Sequence, residues 1–206
     1  MKTLTLLAAT IVASPALATT YTLEPNYTQV VFSWDHLGYS RPTAQIAQGA
    51  GMLEFDPMEP ARASLQVTLP LASLITGVPD LDEHLKSEDF FDVAHFPQAR
   101  FESTRVAKGM AADRLTVTGN LTIRDVTRPV TLDVQVLKQG TNPRTSVATV
   151  GFNATGRIKR SDFGLGAFVP QVGDQIELRI TCQGAETKAY AAFLKSQEEK
   201  ARGEKH

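Results

Sequence analysis

Apolar and polar residues alternate along most of the chain between positions 21 and 182, and this feature limits the possible folds more than any other. A period of two is typical of β-strands that bury one face. The clearest stretches are residues 115–123 and 130–136, where Leu, Val and Ile alternate with Thr, Asn, Asp and Gln. Between them, Arg124 and Asp125 predict a short turn. We therefore expect an antiparallel hairpin here.

Similar alternation at residues 65–69, 148–154 and 176–180 brings the expected number to about eight strands, the first of them bent near Pro25. Parallel βαβ wiring is excluded because helical stretches are scarce. An antiparallel sheet of this size packs as a sandwich or closes into a barrel, and closure removes exposed edges. Eight strands enclose either side chains or one small ligand, and periodicity does not choose between the two.

Two stretches depart from the strand pattern. Residues 80–86 follow Pro79 and place Leu81 and Leu85 one helical turn apart, which predicts a short helical insertion. From Glu186 onward the apolar residues lie on one helical side before the chain becomes dense in charges. We expect a helical tail that extends into solvent.

The N-terminus has the order of a secretory signal, because Lys2 precedes an apolar run over residues 4–12 and the small-residue sequence that ends at Ala18. The run is far shorter than the ~20 residues of a membrane-spanning helix, so no stable membrane insertion is expected. The predicted organisation is a cleaved signal peptide over 1–18, one barrel domain over 19–184 and a charged C-terminal extension over 185–206.

Charge and cysteine content narrow the function. The formal net charge is −1, which does not favour nucleic-acid binding. Cys182 is the only cysteine, so no intrachain disulfide forms and stability must come from packing. Because Cys182 continues an apolar row, it is interpreted as a small buried residue.

Four segments in this order resemble the YceI-like family of secreted polyisoprenoid-binding proteins: YTLEPNYTQVVFSWDHLG (21–38), HLKSEDFFDVAHFPQARFEST (84–104), GNLTIRDVTRPVTLDV (119–134) and RSDFGLG (160–166). The resemblance implies a single eight-stranded, lipocalin-like antiparallel barrel in the periplasm. It implies an isoprenoid-type lipid, a polyisoprenoid or a quinone, in an apolar tunnel, and no cofactor, metal or catalytic set. One departure is Tyr27, where the family commonly has His, so the role of that histidine is not carried over.

Strand parity and this resemblance together select the candidate ligand contacts. Val150 alternates with Phe152, so it is expected to face the ligand. The full predicted set is Val30, Phe32, Trp34, His36, Phe101, Leu121, Ile123, Val150, Phe152, Arg160 and Phe163.

Two polar members of this set have alternative interpretations. His36 shares the parity of Trp34 near the strand end, so it either contacts a ligand headgroup at the tunnel mouth or is satisfied by a neighbouring loop. Arg160 either binds a phosphate headgroup or pins its loop through an ion pair with Asp162. Phe90 and its neighbour Phe91 either plug apolar surface under the helical insertion or gate the tunnel.

Other chemistries are weakly indicated. Asp80, His84 and His95 make a poor metal site, and a solvated helix face explains them better. No Gly-x-Ser-x-Gly segment occurs, and Cys182 has no base nearby in the sequence. The alternatives to a lipid carrier are a secreted lipid-ester hydrolase that uses the same cavity and a packed barrel that serves as an interaction module. Whether the chain forms a homodimer stays open.

Overall fold

Ten β-strands and two α-helices make up the computed structural model, which describes residues 18–203. The predicted signal peptide, apart from residue 18, lies outside the described residues. The strands are β1 (Thr19–Leu23), β2 (Gln29–Ser33), β3 (Thr43–Ile46), β4 (Ala50–Phe55), β5 (Ser64–Pro70), β6 (Gln98–Lys108), β7 (Arg114–Ile123), β8 (Val126–Thr141), β9 (Ala148–Lys159) and β10 (Gln175–Glu186). The helices are α1 (Pro79–Lys86) and α2 (Thr187–Gly203).

The sheet closes on itself as an eight-stranded antiparallel barrel, as predicted. A 3-10 turn at Pro25–Tyr27 divides the first long strand into β1 and β2, and both pieces pair with β10. Opposite this turn, residues 47–49 divide the second long strand into β3 and β4, which pair with β2 and β1. Each of the remaining strands, β5 to β10, is antiparallel to its neighbour in the chain. The expected bend near Pro25 is confirmed.

The β7–β8 hairpin shows how local sequence builds the wall. Ile123 pairs with Val126 across the two-residue turn, whose first residue, Arg124, has a φ of 56°. The Leu, Val and Ile residues of both strands face the interior, as the alternation predicts, except Leu137, which is exposed at the irregularity between Val136 and Lys138. Gly119 is required in this wall, because a Cβ there would lie 2.4 Å from the ring of Phe101 on β6. Its lack of a side chain leaves room for that ring next to the β7 backbone.

One end of the barrel, called the α1 end here, carries α1, the loops 34–42 and 160–174, and the segment 87–97. The predicted helical insertion is confirmed, and Leu85 of α1 is buried against the barrel. Arg124 fixes the segment that follows α1. Its guanidinium donates to the carbonyl oxygen of Phe90 at 3.2 Å and lies 5.6 Å from the centre of the Phe96 ring.

The opposite end, called the α2 end, carries the predicted C-terminal helix. Glu186 accepts hydrogen bonds from the backbone N–H groups of Ala189, at 2.8 Å, and Lys188, and these bonds lower the pKa of its carboxyl. The Thr187 hydroxyl donates to the carbonyl oxygen of Thr20 and so ties α2 to β1. Among the described residues, no helix is long and apolar enough to cross a membrane.

Candidate functional site

The barrel encloses an apolar cavity of about 510 Å³. The cavity extends from His84 and Phe168 at the α1 end to Leu65 and Leu115 near the α2 end, so it follows the barrel axis. Its walls are the inward faces of the strands, and nearly every side chain on them is aliphatic or aromatic. The described residues that line it include no Asp, Glu or Lys. Such a site suits a long apolar molecule.

Nine of the eleven predicted contact residues line this cavity: Val30, Phe32, Trp34, His36, Phe101, Leu121, Ile123, Phe152 and Arg160. They come from four strands, β2, β6, β7 and β9, and from the loops that follow β2 and β9, so closure of the barrel brings them together. Their contact with a ligand remains a prediction. The other two, Val150 and Phe163, do not line the cavity.

Val150 faces inward, as its parity predicts, but it lies in the packed α2 end of the barrel. Its side chain is 0% exposed. It pairs with Gln139 on β8, whose amide donates to the hydroxyl of the buried Tyr21 at 3.2 Å. Tyr21 therefore fills the interior at this level. Alternation predicts the face of a strand residue correctly, but it carries no information about depth along the barrel.

Phe163 lies in the 3-10 turn Arg160–Phe163 that follows β9. Its side chain is 1% exposed and packs in the core outside the cavity wall. Three other residues that follow in the same loop line the cavity instead, namely Leu165, Phe168 and Val172. These three residues are not among the predicted contacts, because the loop has no periodicity from which their facing side could be inferred.

The Arg160 side chain holds that loop in place by binding the backbone carbonyl groups of the loop. The residue is 7% exposed, and burial lowers the pKa of its guanidinium while the nearby charge of Asp174 opposes that shift. The predicted ion pair with Asp162 is wrong: Asp174 instead binds the N–H and hydroxyl of Ser161, at 2.9 and 2.8 Å. The guanidinium donates to four carbonyl oxygens, those of Leu165, Ala167, Val172 and Gly173.

His36 lies at the opening of the cavity and is exposed. Its backbone N–H donates to the carbonyl oxygen of Ser40 at 2.9 Å, and its backbone also bridges to Val172. The imidazole makes no hydrogen bond within the described part of the chain. Neighbouring loops therefore hold the His36 backbone and leave its ring free to meet a ligand or water.

Aromatic side chains close around the same opening. The ring of Phe90 lies 4.9 Å from that of His84 and 6.4 Å from that of Phe168, measured between centroids. Phe91 is buried and packs 6.1 Å from Phe32 inside the barrel. Both phenylalanines border the cavity, Phe91 as part of the core under the insertion and Phe90 at the rim.

The candidate metal site does not assemble. His84 packs against aromatic rings, whereas His95 Nδ1 lies 2.8 Å from the carboxylate of Asp92. Residues 18–203 contain no group of three potential metal ligands.

Two polar groups lie deep in the barrel. Cys182 lines the cavity, and burial raises the pKa of its thiol to about 11 although the Thr28 hydroxyl acts in the opposite direction. Thr28 Oγ1 is itself buried and has no hydrogen-bond partner among the described residues. Apart from this pair, the middle of the cavity is apolar.

Comparison with known proteins identifies relatives across most of the chain. A family model described as the YceI-like domain matches residues 21–184. The protein YceI of Salmonella arizonae is 37% identical over 165 residues, which cover 80% of this chain and 85% of that protein.

Solved structures share the barrel. The crystal structure of Burkholderia cenocepacia BcnA superposes with a TM-score of 0.68 at 26% identity, over 76% of this chain and 95% of that one. The Campylobacter jejuni YCEI protein has a TM-score of 0.66 at 26% identity, over 75% and 90%. A polyisoprenoid binding domain from Saccharophagus degradans has a TM-score of 0.61 at 15% identity, over 83% and 99%, which shows a common fold alone.

Proposed function

Because the chain belongs to the YceI-like domain family, we propose that it is a periplasmic carrier that holds one long isoprenoid-type lipid, a polyisoprenoid or a quinone, in its barrel. One observation carries the proposal, namely the elongated cavity of about 510 Å³ with apolar walls. The barrel that is a polyisoprenoid binding domain in the Saccharophagus protein is consistent with this function through its fold.

Burial of the hydrocarbon tail supplies the affinity. Each methylene group removed from water contributes roughly 0.8 kcal/mol, less the cost of ordering a flexible chain. The cavity wall offers few polar groups, so it selects a ligand mainly by its apolar tail. A lipid would otherwise expose this tail in the aqueous space between membranes.

A packed interaction module is the less favoured alternative, because close-packed interiors contain few voids larger than a water molecule. This interior leaves space for a ligand of considerable size. Absence of an extractable or bindable lipid would restore that alternative.

A lipid-ester hydrolase also has weak support. Cys182 is the thiol on the cavity wall, and its pKa of about 11 keeps it protonated at neutral pH, whereas the thiolate is the nucleophile. Ser64 borders the cavity near the α2 end and donates to the Glu54 carboxylate at 3.2 Å. The histidines that border the cavity, His36 and His84, lie at the α1 end, far from Ser64.

Trp34 provides the test, since it is the only tryptophan of the chain and it lines the cavity. Titration of the delipidated protein with a long isoprenoid lipid is expected to change its fluorescence and to saturate at one lipid per protein. An ester with the same tail is expected to bind without turnover. Failure of every isoprenoid lipid to bind would refute the carrier, and release of acid from the ester would support the hydrolase.

A further inference from the structure

We infer that the lipid lies with its polar end at the α1 end, and that this polar end presents hydrogen-bond-accepting oxygens, either a neutral carbonyl or a phosphate. This inference rests on the proposed lipid-binding function. It adds the direction of the ligand and the chemistry of its headgroup, which an apolar cavity alone does not specify.

The polar groups of the wall are unevenly distributed. Those at the α1 end are Trp34, His36, His84 and Arg160, and each of them carries an N–H donor. No acidic side chain lines the cavity among the described residues. Trp34 and Arg160 carry donors only, whereas each neutral imidazole carries one donor and one acceptor, so donors outnumber acceptors at this end and favour a ligand group that accepts hydrogen bonds.

Trp34 is the most informative of these donors. The side chain is 9% exposed, and its indole N–H makes no hydrogen bond within residues 18–203. The fully buried side-chain atoms without a partner among the described residues are Thr28 Oγ1 and Arg124 Nε, so the indole N–H of Trp34 keeps accessible surface on the cavity wall. A ligand oxygen in the cavity is its expected acceptor. The ring packs 6.0 Å from Phe32, which orients it on the cavity wall.

Arg160 adds a positive charge to the polar groups at the α1 end. Four of its five N–H groups bind backbone carbonyls, which leaves one on Nη2. Within the described chain, no carboxylate lies within ion-pair distance of it, and Asp174, whose charge acts on it from farther away, is already bound to Ser161. The other hydrogen of Nη2 is given to Val172, whose backbone bridges to His36. The guanidinium thus lies next to the opening, where an acceptor oxygen or an anion would complete its set of partners.

Among the described residues, the deep half of the cavity has no cluster of N–H donors and no charged group. The Ser64 hydroxyl already donates to Glu54, and the buried Thr28 hydroxyl acts on the Cys182 thiol, a weak donor that stays protonated. Phe55 and Phe152 pack edge to face at 5.5 Å on the wall of this half. The apolar tail therefore belongs there, and the oxygen-bearing end belongs at the α1 end.

Lipids with one geranylgeranyl tail and different ends test this inference: the hydrocarbon, a methyl ketone, a phosphate and an amine. The wild type is expected to bind the ketone or the phosphate more tightly than the hydrocarbon, and the amine more than ~10-fold more weakly than either, because a cation there would face Arg160. If the phosphate is preferred, its affinity falls with added salt, whereas affinity for the ketone does not.

Trp34→Phe removes one donor and keeps an aromatic ring. It is expected to weaken the affinity for the preferred ketone or phosphate roughly 3- to 10-fold and to leave the affinity for the hydrocarbon unchanged. His84→Phe, which keeps ring packing on Phe90, is expected to act in the same direction. Phe152→Leu, in the deep half, is the matched control and should weaken all four lipids by one common factor. Because Trp34→Phe removes the only tryptophan, calorimetric titration measures binding in this series, and binding of the hydrocarbon by each variant shows that its barrel is folded.

Equal affinity for all four ends, or a loss in Trp34→Phe that is the same for the hydrocarbon, would overturn the headgroup inference and leave the carrier standing. Tightest binding of the amine would also overturn it. If no lipid in the series binds the wild type, both the carrier and this inference fail.

Discussion

Ala154 and Val150 on β9 both face inward, but only Ala154 lines the cavity, whereas Val150 lies in the packed core. Substitutions at these two positions therefore distinguish an open cavity from filled space. Ala154→Phe adds a phenyl group, and a benzene molecule occupies a void of roughly 150 Å³. That is close to a third of the 510 Å³ available. If the new ring displaces only about three methylene groups of the lipid from the cavity, the binding free energy weakens by ~2.4 kcal/mol, which is roughly 50-fold in affinity. The apo fold, by contrast, gains contacts into empty space.

Val150→Phe forces the same ring into filled space beside Tyr21 and is expected to cost about 1 to 3 kcal/mol of unfolding free energy. Denaturant titration measures that cost, and Trp34 fluorescence measures lipid binding in each variant. Thr155→Phe, on the exposed outer face, is the control for both measurements. The reasoning is refuted if Ala154→Phe destabilises the apo protein as much as Val150→Phe does, or if it binds lipid like the wild type.

Three further predictions concern the deep polar pair and the N-terminus. Thr28→Val removes a buried hydroxyl without a hydrogen-bond partner among the described residues and should raise the unfolding free energy by up to about 1 kcal/mol. A decrease of that size would show that the hydroxyl makes a stabilising hydrogen bond. Burial raises the pKa of the Cys182 thiol from 9.0 to about 11, so the protonated thiol contributes its full stabilisation below pH 9. The unfolding free energy should then fall by on the order of 2 kcal/mol as the pH rises to 11. Cys182→Val should abolish that fall, and an unchanged pH profile would contradict the burial of the thiol. Intact mass of the exported protein should place its first residue at Thr19, and retention of residues 1–18 would contradict the signal-peptide prediction.

The strands were predictable because each buries one face along a regular period. The alternation across residues 115–136 identifies both the β7–β8 hairpin and the inward face of each strand. The short helix after Pro79 and the bend near Pro25 were visible for a similar reason, since local sequence sets both.

Depth and loop contacts were not predictable in the same way. Val150 has the parity of a cavity residue, but Tyr21, far away in sequence, fills that level of the barrel. Leu165 and Phe168 reach the cavity because Arg160 binds the backbone of their loop, a contact without periodic signal. Whether eight strands enclose space or side chains also depends on the combined volume of all inward residues, which alternation does not report.

The carrier itself is tested most directly by mass spectrometry of an organic extract from the protein, purified gently from its native host. The account predicts an isoprenoid-type lipid in an amount close to one per protein chain, because an apolar cavity of about 510 Å³ follows the barrel axis. It also predicts that Ala154→Phe, purified in parallel, retains much less of that lipid. A wild-type protein that yields no lipid and takes none up after delipidation would contradict the account.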